Sequence, residues 1–380
     1  MFVSIVMPCL NESETLGSCI KKAKKTLDRL NIDGEIVVAD NGSTDGSQEI
    51  AQSLGARVIN EPEKGYGNAY RAGIAAARGE YIIIGDSDDS YDFTEIGRFY
   101  TKLQEGYDLV MGTRMKGGIS KGAMPWLHRY IGNPVLTGIL NVFFRSGISD
   151  AHCGMRAFTK QAYDQMELQT AGMEFASEMV IKASMLHLKM TEIPITLHPD
   201  GRSRAPHLRS FRDGWRHLRF MLLHSPSYLY MWPGFFMFGL GMLTMIVLLL
   251  QSIDFGGRIA DLHVMVFGSL LAILGLQTIA LGMYARIYAV THNFIPQGQF
   301  LNRMFKIFNL ERGLLLGAFV FLLGFGLGIY IFIKWIQNHY GPFNELRFAM
   351  FSSTLMIFGT QIIFSSFFLS MLGIERKKPA

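Results

Sequence analysis

The chain has 380 residues, of which 49% are apolar and 18% charged, with a mean hydropathy of +0.22 and a formal net charge of +5. That length suggests about two or three domains, and that hydropathy excludes a disordered chain and is unusual for a wholly soluble one. Residues 1–232 carry 26 Lys/Arg against 26 Asp/Glu, so the basic excess lies wholly in the second half, and a neutral first half argues against nucleic-acid binding.

From the start, Phe2–Met7 is a short apolar run ending at Pro8. It has no basic flank and no cleavage site, so it predicts a strand rather than a signal peptide, and a first domain that stays where it is made. Ile36–Asp40, Tyr81–Asp86 and Leu109–Gly112 also read as strands. Glu14–Leu30 carries Leu16, Ile20, Ala23 and Leu27 at helical spacing, and Gly67–Arg78 is an Ala-rich helix. Alternating strands and helices predict an α/β, Rossmann-like, mostly parallel sheet with its ligand beyond the carboxyl ends of the strands. Polar clusters stand there: Asn11-Glu12, Asp40-Asn41-Gly42-Ser43, and Asp86-Ser87-Asp88-Asp89. Cys9, Cys19 and Cys153 are too few and scattered for a disulfide framework or a zinc site.

Arg209, Arg212, Arg216 and Arg219 share a helical face beside Phe211, Trp215, Leu218 and Leu222, the pattern of a helix lying in a membrane interface or of a basic surface helix of the soluble domain. Trp126–Phe144, interrupted by Pro134 and Gly138, is a second such segment. Four apolar stretches follow, Trp232–Leu250, Val264–Tyr284, Gly313–Ile333 and Phe348–Leu372, none with an internal charge and each long enough to span a bilayer. The first and third loops hold Arg258, Lys334 and Arg347, whereas the second loop and tail hold Arg286, Arg303, Lys306, Arg312, Arg376, Lys377 and Lys378. That asymmetry places the second loop, the tail and the first domain in the cytoplasm, on a multi-pass protein of the cytoplasmic membrane. Gly313, Gly317, Gly324 and Gly328 form small-xxx-small pairs, which mark either close helix packing or a homo-oligomer contact. The expected organisation is an α/β domain over 1–205, an interfacial linker over 206–231, a four-helix transmembrane domain over 232–373 and a basic tail over 374–380.

Asp86 and Asp88 end a strand, where two carboxylates suit a hard cation that takes its other ligands from phosphate and water. Asp40 stands before a Gly/Ser loop that would admit a base, or caps a turn. Lys64-Gly65-Tyr66-Gly67 opens a helix, either as an anion site or as an ordinary Gly-rich turn.

Val6-Met7-Pro8-Cys9-Leu10-Asn11-Glu12, Asp40-Asn41-Gly42-Ser43-Thr44-Asp45, Lys64-Gly65-Tyr66-Gly67-Asn68-Ala69 and Gly85-Asp86-Ser87-Asp88 occur in that order. Together they resemble the inverting family 2 glycosyltransferases of GT-A fold, and among them the polyprenyl-phosphate glycosyltransferases, over about residues 2–225. The resemblance implies a nucleotide-sugar donor held by Pro8, Asn11, Glu12, Asp40, Lys64, Gly65 and Asp86. It implies Mg²⁺ or Mn²⁺ on Asp86 and Asp88, and a polyprenyl-phosphate acceptor at the bilayer. It further implies an acid at the reaction centre in Asp150 and acceptor-phosphate ligands in Arg114, Arg129 and Arg202. Two departures are Asn41, where a second Asp is common, and Asp89-Ser90, where the family often has a Gln in the metal shell. His152 has no partner at metal spacing and reads as structural. Glu174 and Glu178, one turn apart, stay unassigned.

Two other functions compete. A processive polysaccharide synthase of the same fold would carry Gln-x-x-Arg-Trp and Thr-Glu-Asp motifs, and neither occurs. A transporter with a nucleotide-binding domain would carry intramembrane charges, and the spans have none. A hydroxyl acceptor needs a general base, but a phosphate acceptor is already an anion near neutral pH.

Overall fold

The computed structural model describes residues 2–203, 210–254, 259–291, 309–340 and 345–372. Arg204, Arg209, Arg258, Arg303, Lys306 and the tail basic residues lie outside the described residues. The chain divides into two compact units, Met1–Met221 and Leu222–Ala380.

In the first unit the strands are β1 (Val3–Cys9), β2 (Gly34–Asp40), β3 (Arg57–Asn60), β4 (Tyr81–Ile84), β5 (Leu109–Ile119), β6 (Arg156–Thr159) and β7 (Met190–Leu197). They form one sheet in the order β3-β2-β1-β4-β6-β5-β7. The pairs are parallel except that β6 runs antiparallel to both β4 and β5, so the sheet is mixed. Helices α1 (Leu16–Leu30), α2 (Ser47–Ser53), α3 (Tyr66–Ala76), α4 (Ile96–Gln104), α5 (Asn133–Phe144), α6 (Lys160–Met166), α7 (Phe175–Met185) and α8 (Ser210–Leu223) accompany it.

Successive strand residues point to opposite faces, and β1 shows the consequence. Val3, Ile5 and Met7 enter one core with Leu16 and Ile20 of α1 and Phe99 of α4. Val6 enters the other with Tyr70 and Ile74 of α3 and Met179 of α7. The helical stripe expected in α1 is buried as Leu16, Ile20, Ala23 and Leu27, and the helix ends at Asn31 in the left-handed region (φ 53°). Pro134 follows a π-helical turn, His128–Gly132, that runs without a break into α5, so the interruption expected there takes the form of a widened turn just before the proline rather than a helix end. Trp126, Tyr130, Val135 and Val142 leave large apolar side chains exposed along this segment.

In the second unit, α9 (Trp232–Leu250), α10 (Leu262–Thr291), α11 (Leu310–Gln337) and α12 (Leu346–Leu372) are long and apolar enough to cross a membrane, the first extended by a turn from Ser227. Only 11–33% of each span's most apolar window is buried inside the protein, so the remaining apolar surface needs lipid. This is a multi-pass membrane protein. The expected glycine stripe of α11 packs within the chain. A Cβ on Gly317 would lie 2.9 Å from Gly359 O, and one on Gly324 would lie 2.7 Å from Ser352 O, both on α12. Those glycines let two backbones of the same chain approach. The same device, unread in the sequence, joins α9 to α10, where a Cβ on Gly241 would lie 2.5 Å from Gly268 O.

Candidate active site

The chain places β2 and β3 on one side of β1 and β4 on the other, so the strand order reverses between β1 and β4. Open α/β sheets bind ligands beyond the carboxyl ends at such a reversal. Ser87 after β4 donates its hydroxyl to Pro8 O at 2.6 Å, and Thr15 Oγ1 donates to Ser87 O at 2.7 Å, fixing the two turns side by side.

After β1 the chain turns through Asn11, which is left-handed (φ 57°). Its N–H donates to Ser43 Oγ and its Oδ1 accepts from Thr44 N–H, each at 2.8 Å. Asp40 closes β2: its Oδ2 accepts from Gly42 N–H and Ser43 N–H at 3.0 Å and from Gln48 Nε2 at 2.7 Å. Its Oδ1 is buried with no hydrogen-bond partner among the described residues, an acceptor waiting for a donor. Asn41 Nδ2 donates to Glu61 O at 2.9 Å and Glu63 O at 2.8 Å, and Asn41 Oδ1 accepts from Gly65 N–H at 2.8 Å. An aspartate could not donate, so Asn41 builds this loop, and its amide is committed there rather than to reading a base.

Lys64 Nζ donates to Asn41 O at 2.6 Å. A Cβ on Gly65 would lie 2.3 Å from Ala171 O, and Gly67 N–H donates to that oxygen at 2.9 Å. The opening of α3 is therefore docked on a neighbouring carbonyl, which corresponds to the Gly-rich turn rather than the anion site. Glu178 holds that neighbour in place, accepting from Gln169 N–H at 3.0 Å and Thr170 N–H at 2.9 Å.

Beyond β4, Asp86 Oδ1 accepts from the hydroxyls of Tyr66 at 2.9 Å and Tyr70 at 3.2 Å. Burial, and next the charge of Asp88, push the Asp86 carboxyl up to about 6, while the two tyrosines oppose the rise. The tyrosines were not read from the sequence, although their i, i+4 spacing puts both hydroxyls on one side of α3. Asp88 Oδ1 accepts from Ser90 N–H at 3.0 Å and Oγ at 2.5 Å. Asp88 Oδ2 takes Arg202 Nη2 at 2.5 Å, and Arg202 Nη1 reaches Glu12 Oε1 at 3.0 Å. Asp89 (φ 62°) turns the other way and pairs with Lys22 of α1 at 2.7 Å. It stands apart from the carboxylate pair.

A cavity of about 350 Å³ is lined by Pro8, Glu12, Lys64, Asp86, Asp88 and Arg202 among others, and by Arg212, Asp213 and Arg216 of α8. A second, of about 330 Å³, shares Glu12 and Arg202 and adds Asn11 and Thr44. The donor set at Asp86 and Asp88 fits a hard divalent cation. Burial, and next the neighbouring carboxylate, raise one of them, and a guanidinium already balances the other.

Arg114, Arg129 and Arg202, expected to meet on one phosphate, have separate partners. Arg114 donates Nε to Asp150 Oδ2 and Nη2 to Asp150 Oδ1, each at 2.7 Å, and Asp150 is 0% exposed. Asp150 thus holds an arginine with both oxygens. Arg129 sits 5.3 Å from the Tyr130 ring centre, and Arg202 belongs to the Glu12–Asp88 cluster. Arg156 is buried with its guanidinium donating to Ala151 O, Cys153 O and Ala176 O, clamping the turn that carries Asp150. Burial pushes the Cys9 thiol up to about 11 and the Cys153 thiol to about 12, so neither is a thiolate nucleophile at neutral pH.

His152 finds partners that sequence spacing could not show. Ser177 Oγ lies 2.7 Å from His217 Nδ1 and 3.4 Å from His152 Nε2, and the two rings meet edge to face at 4.6 Å. Burial pulls His217 down to about 4, so this is a neutral pin between α8 and α7.

Comparison with known proteins agrees with this geometry. Residues 4–166 match the model of glycosyl transferase family 2, and residues 283–373 match the family 2 C-terminal transmembrane region. The low-salt glycan biosynthesis hexosyltransferase of Haloferax volcanii is 39% identical over 98% of this chain and 89% of its own length. The dolichyl-phosphate hexose transferase of the same organism is 31% identical over 51% of this chain and 81% of its own. Among solved structures, glucosyl-3-phosphoglycerate synthase of Mycobacterium tuberculosis with Mn²⁺ and UDP-glucose aligns with a TM-score of 0.47 and 22% identity, covering 58% of this chain and 77% of that one. The chain is a membrane-spanning glycosyltransferase and belongs to glycosyl transferase family 2.

Proposed function

We propose that this enzyme moves a hexosyl group from a nucleoside diphosphate sugar to a polyprenyl phosphate. The observation that carries the reading is the acidic pair Asp86 and Asp88, set at a strand end and faced by Arg202 in a cavity large enough for a sugar diphosphate. Asp40, with its buried unpartnered oxygen, would accept a base N–H, and Asn11 and Glu12 would flank the ribose. Asp86 and Asp88 would hold Mg²⁺ or Mn²⁺, which neutralises charge on the leaving diphosphate. Arg202 would turn from Asp88 toward the phosphates when the donor arrives. Asp150 would position Arg114 rather than move a proton.

Support for the acceptor comes from the relative named as a dolichyl-phosphate hexose transferase and from the four spans, which hold the enzyme where such a lipid resides. The acceptor oxygen is already ionised, so the site needs no general base for it. Single displacement at the anomeric carbon would invert it. With the basic excess in the second loop and tail, the catalytic unit and the tail would face the cytoplasm. The test is to incubate membranes containing the protein with labelled nucleotide sugars and a polyprenyl phosphate, with and without EDTA. A labelled glycolipid that needs the divalent ion is expected. No lipid product from any donor would contradict the reading.

A further inference from the structure

We infer that two copies of this chain pair in the membrane through the exposed face of α10, amide to amide at Gln277. The inference rests on the spans alone and is independent of the reaction proposed above.

A polar side chain inside a bilayer needs a partner, because lipid offers none. The hydroxyls of Thr244, Thr278, Ser353, Thr360 and Ser366 meet that need locally, each donating to the carbonyl four residues earlier. Ser269 and Thr354 meet at 2.7 Å across α10 and α12. The interiors of the four spans hold two amides, Gln277 and Gln361, and these differ. Gln277 is exposed, with no side-chain partner among the described residues. Gln361 Oε1 is buried and also has no hydrogen-bond partner there.

The two amides lie at one depth. Besides Ser269 and Thr354, Tyr284 and Phe368 meet edge to face at 4.7 Å, which fixes the register of α10 on α12. Gln277 and Gln361 each stand seven residues before that ring pair. Gln277 is fifteen residues from the start of α10 and fourteen from its end, about 20 Å from either. That is the middle of the hydrocarbon, beyond the reach of head groups.

The neighbours of Gln277 form a seam. Phe267, Leu270, Leu274 and Leu281 are 40–70% exposed. With Gln277 they recur at alternating steps of three and four, the spacing of paired helices, in which one polar residue fixes register. Other sides of α10 are taken within the chain. Gly268 and Gly275 pack on α9, and Ser269 and Tyr284 on α12.

A second copy is the occupant that matches this seam. Copies inserted the same way carry Gln277 at equal depth, and a two-fold axis along the membrane normal brings the residue to itself. A carboxamide is self-complementary, with one acceptor oxygen and two N–H donors. Each Nε2 donates to Oε1 of Gln277 in the other copy, which makes two reciprocal hydrogen bonds. The second N–H of each is left for the buried Gln361 Oε1 at the same level. Lipid, or a partner helix of leucines alone, would leave both amides unmet.

The test uses the full chain in lipid vesicles. Under mild oxidation Gln277→Cys should form a disulfide-linked dimer, whereas Leu322→Cys, exposed in the middle of α11, should not. Cys9, Cys19 and Cys153 are buried, so wild type gives the background. Energy transfer between copies labelled at the C-terminus, followed as lipid is added, reads association directly. Gln277→Leu should weaken it about tenfold with the circular dichroism spectrum unchanged, and Gln277→Asn should retain part. Equal cross-linking of the two cysteine variants would report chance collision and overturn the inference. Association that Gln277→Leu leaves unchanged would place the contact on another face and overturn it too. So would the absence of energy transfer at every lipid ratio, or a photo-crosslinker at position 277 that captures a different membrane protein in place of a second copy. None of these readouts uses sugar transfer, so failure here leaves the proposed reaction standing.

Discussion

Arg202 reaches Asp88 at 2.5 Å and Glu12 at 3.0 Å, so the chain places its own cation among the carboxylates proposed to receive a metal and a donor. An arginine in that position competes with a divalent ion for Asp88 until phosphates draw it away. Arg202→Ala should therefore bind Mn²⁺ more tightly in the absence of donor, yet turn over at least about tenfold more slowly, since one charge-assisted contact to the diphosphate is lost. Mn²⁺ titration followed by electron paramagnetic resonance, alongside steady-state rates, checks both halves.

The carboxylates themselves give the sharper loss. Asp88→Asn keeps the shape and the acceptor oxygen for Ser90 but removes the charge. Mn²⁺ binding should weaken by at least about a hundredfold, and transfer should fall by orders of magnitude with the circular dichroism spectrum unchanged. Persistent activity in EDTA would contradict the metal assignment.

The pH dependence follows from Asp86. Its carboxyl is raised to about 6 by burial and by Asp88, so below that pH the neutral form dominates and a metal must displace a proton. Apparent Mn²⁺ affinity should be level above about pH 7 and fall roughly tenfold per unit below about 6. Tyr66 and Tyr70 donate to the charged form, so Tyr66→Phe should move the midpoint upward. A downward shift would show that the hydroxyl serves another purpose.

Asp150 and Arg114 form a buried, doubly hydrogen-bonded pair, and its two ends should fail differently from a reaction-centre acid. Asp150→Ala strands a buried guanidinium and should cost about 3–5 kcal/mol of stability, seen as a lowered unfolding temperature. If Asp150 instead acted on the substrate, Asp150→Asn would abolish transfer with unfolding barely changed.

The sequence was most informative where one chain segment sets the outcome. The apolar stripe of α1 and the four spans are local patterns, and so are the acidic turn at Asp86–Asp88 and the small residues of α11. It was silent where partners come from afar. Nothing in the spacing of Arg202 tells that it crosses the site to Asp88, 114 positions earlier. Arg114 looked like a free cation because Asp150 lies 36 residues on. β6 was unread because four residues starting with a charge give no period-2 pattern, and its antiparallel pairing depends on β4 and β5 being already in place. Arg212 and Arg216 were legible as a basic helix face, but only tertiary packing shows that the face turns to a cavity rather than to lipid alone.

Topology gives an independent check. With the loops charged as they are, reporter fusions after Leu250 and after Ile333 should report the outer side, and fusions after Tyr284 and after Ala380 the cytoplasm. A cytoplasmic signal from the loop after Leu250 would contradict the proposed orientation.

The central claim is that the acceptor is a phosphate, and a paired assay tests it most directly. Purified protein in lipid vesicles with Mn²⁺ and a competent nucleotide sugar would be offered undecaprenyl phosphate or undecaprenol, which share a tail and differ only in the head group. A glycosyl phospholipid is expected from the first, β-linked when the donor is α-linked, and no product from the second, whose hydroxyl would need a general base to remove its proton. Equal transfer to the alcohol, or product only from the alcohol, would contradict it.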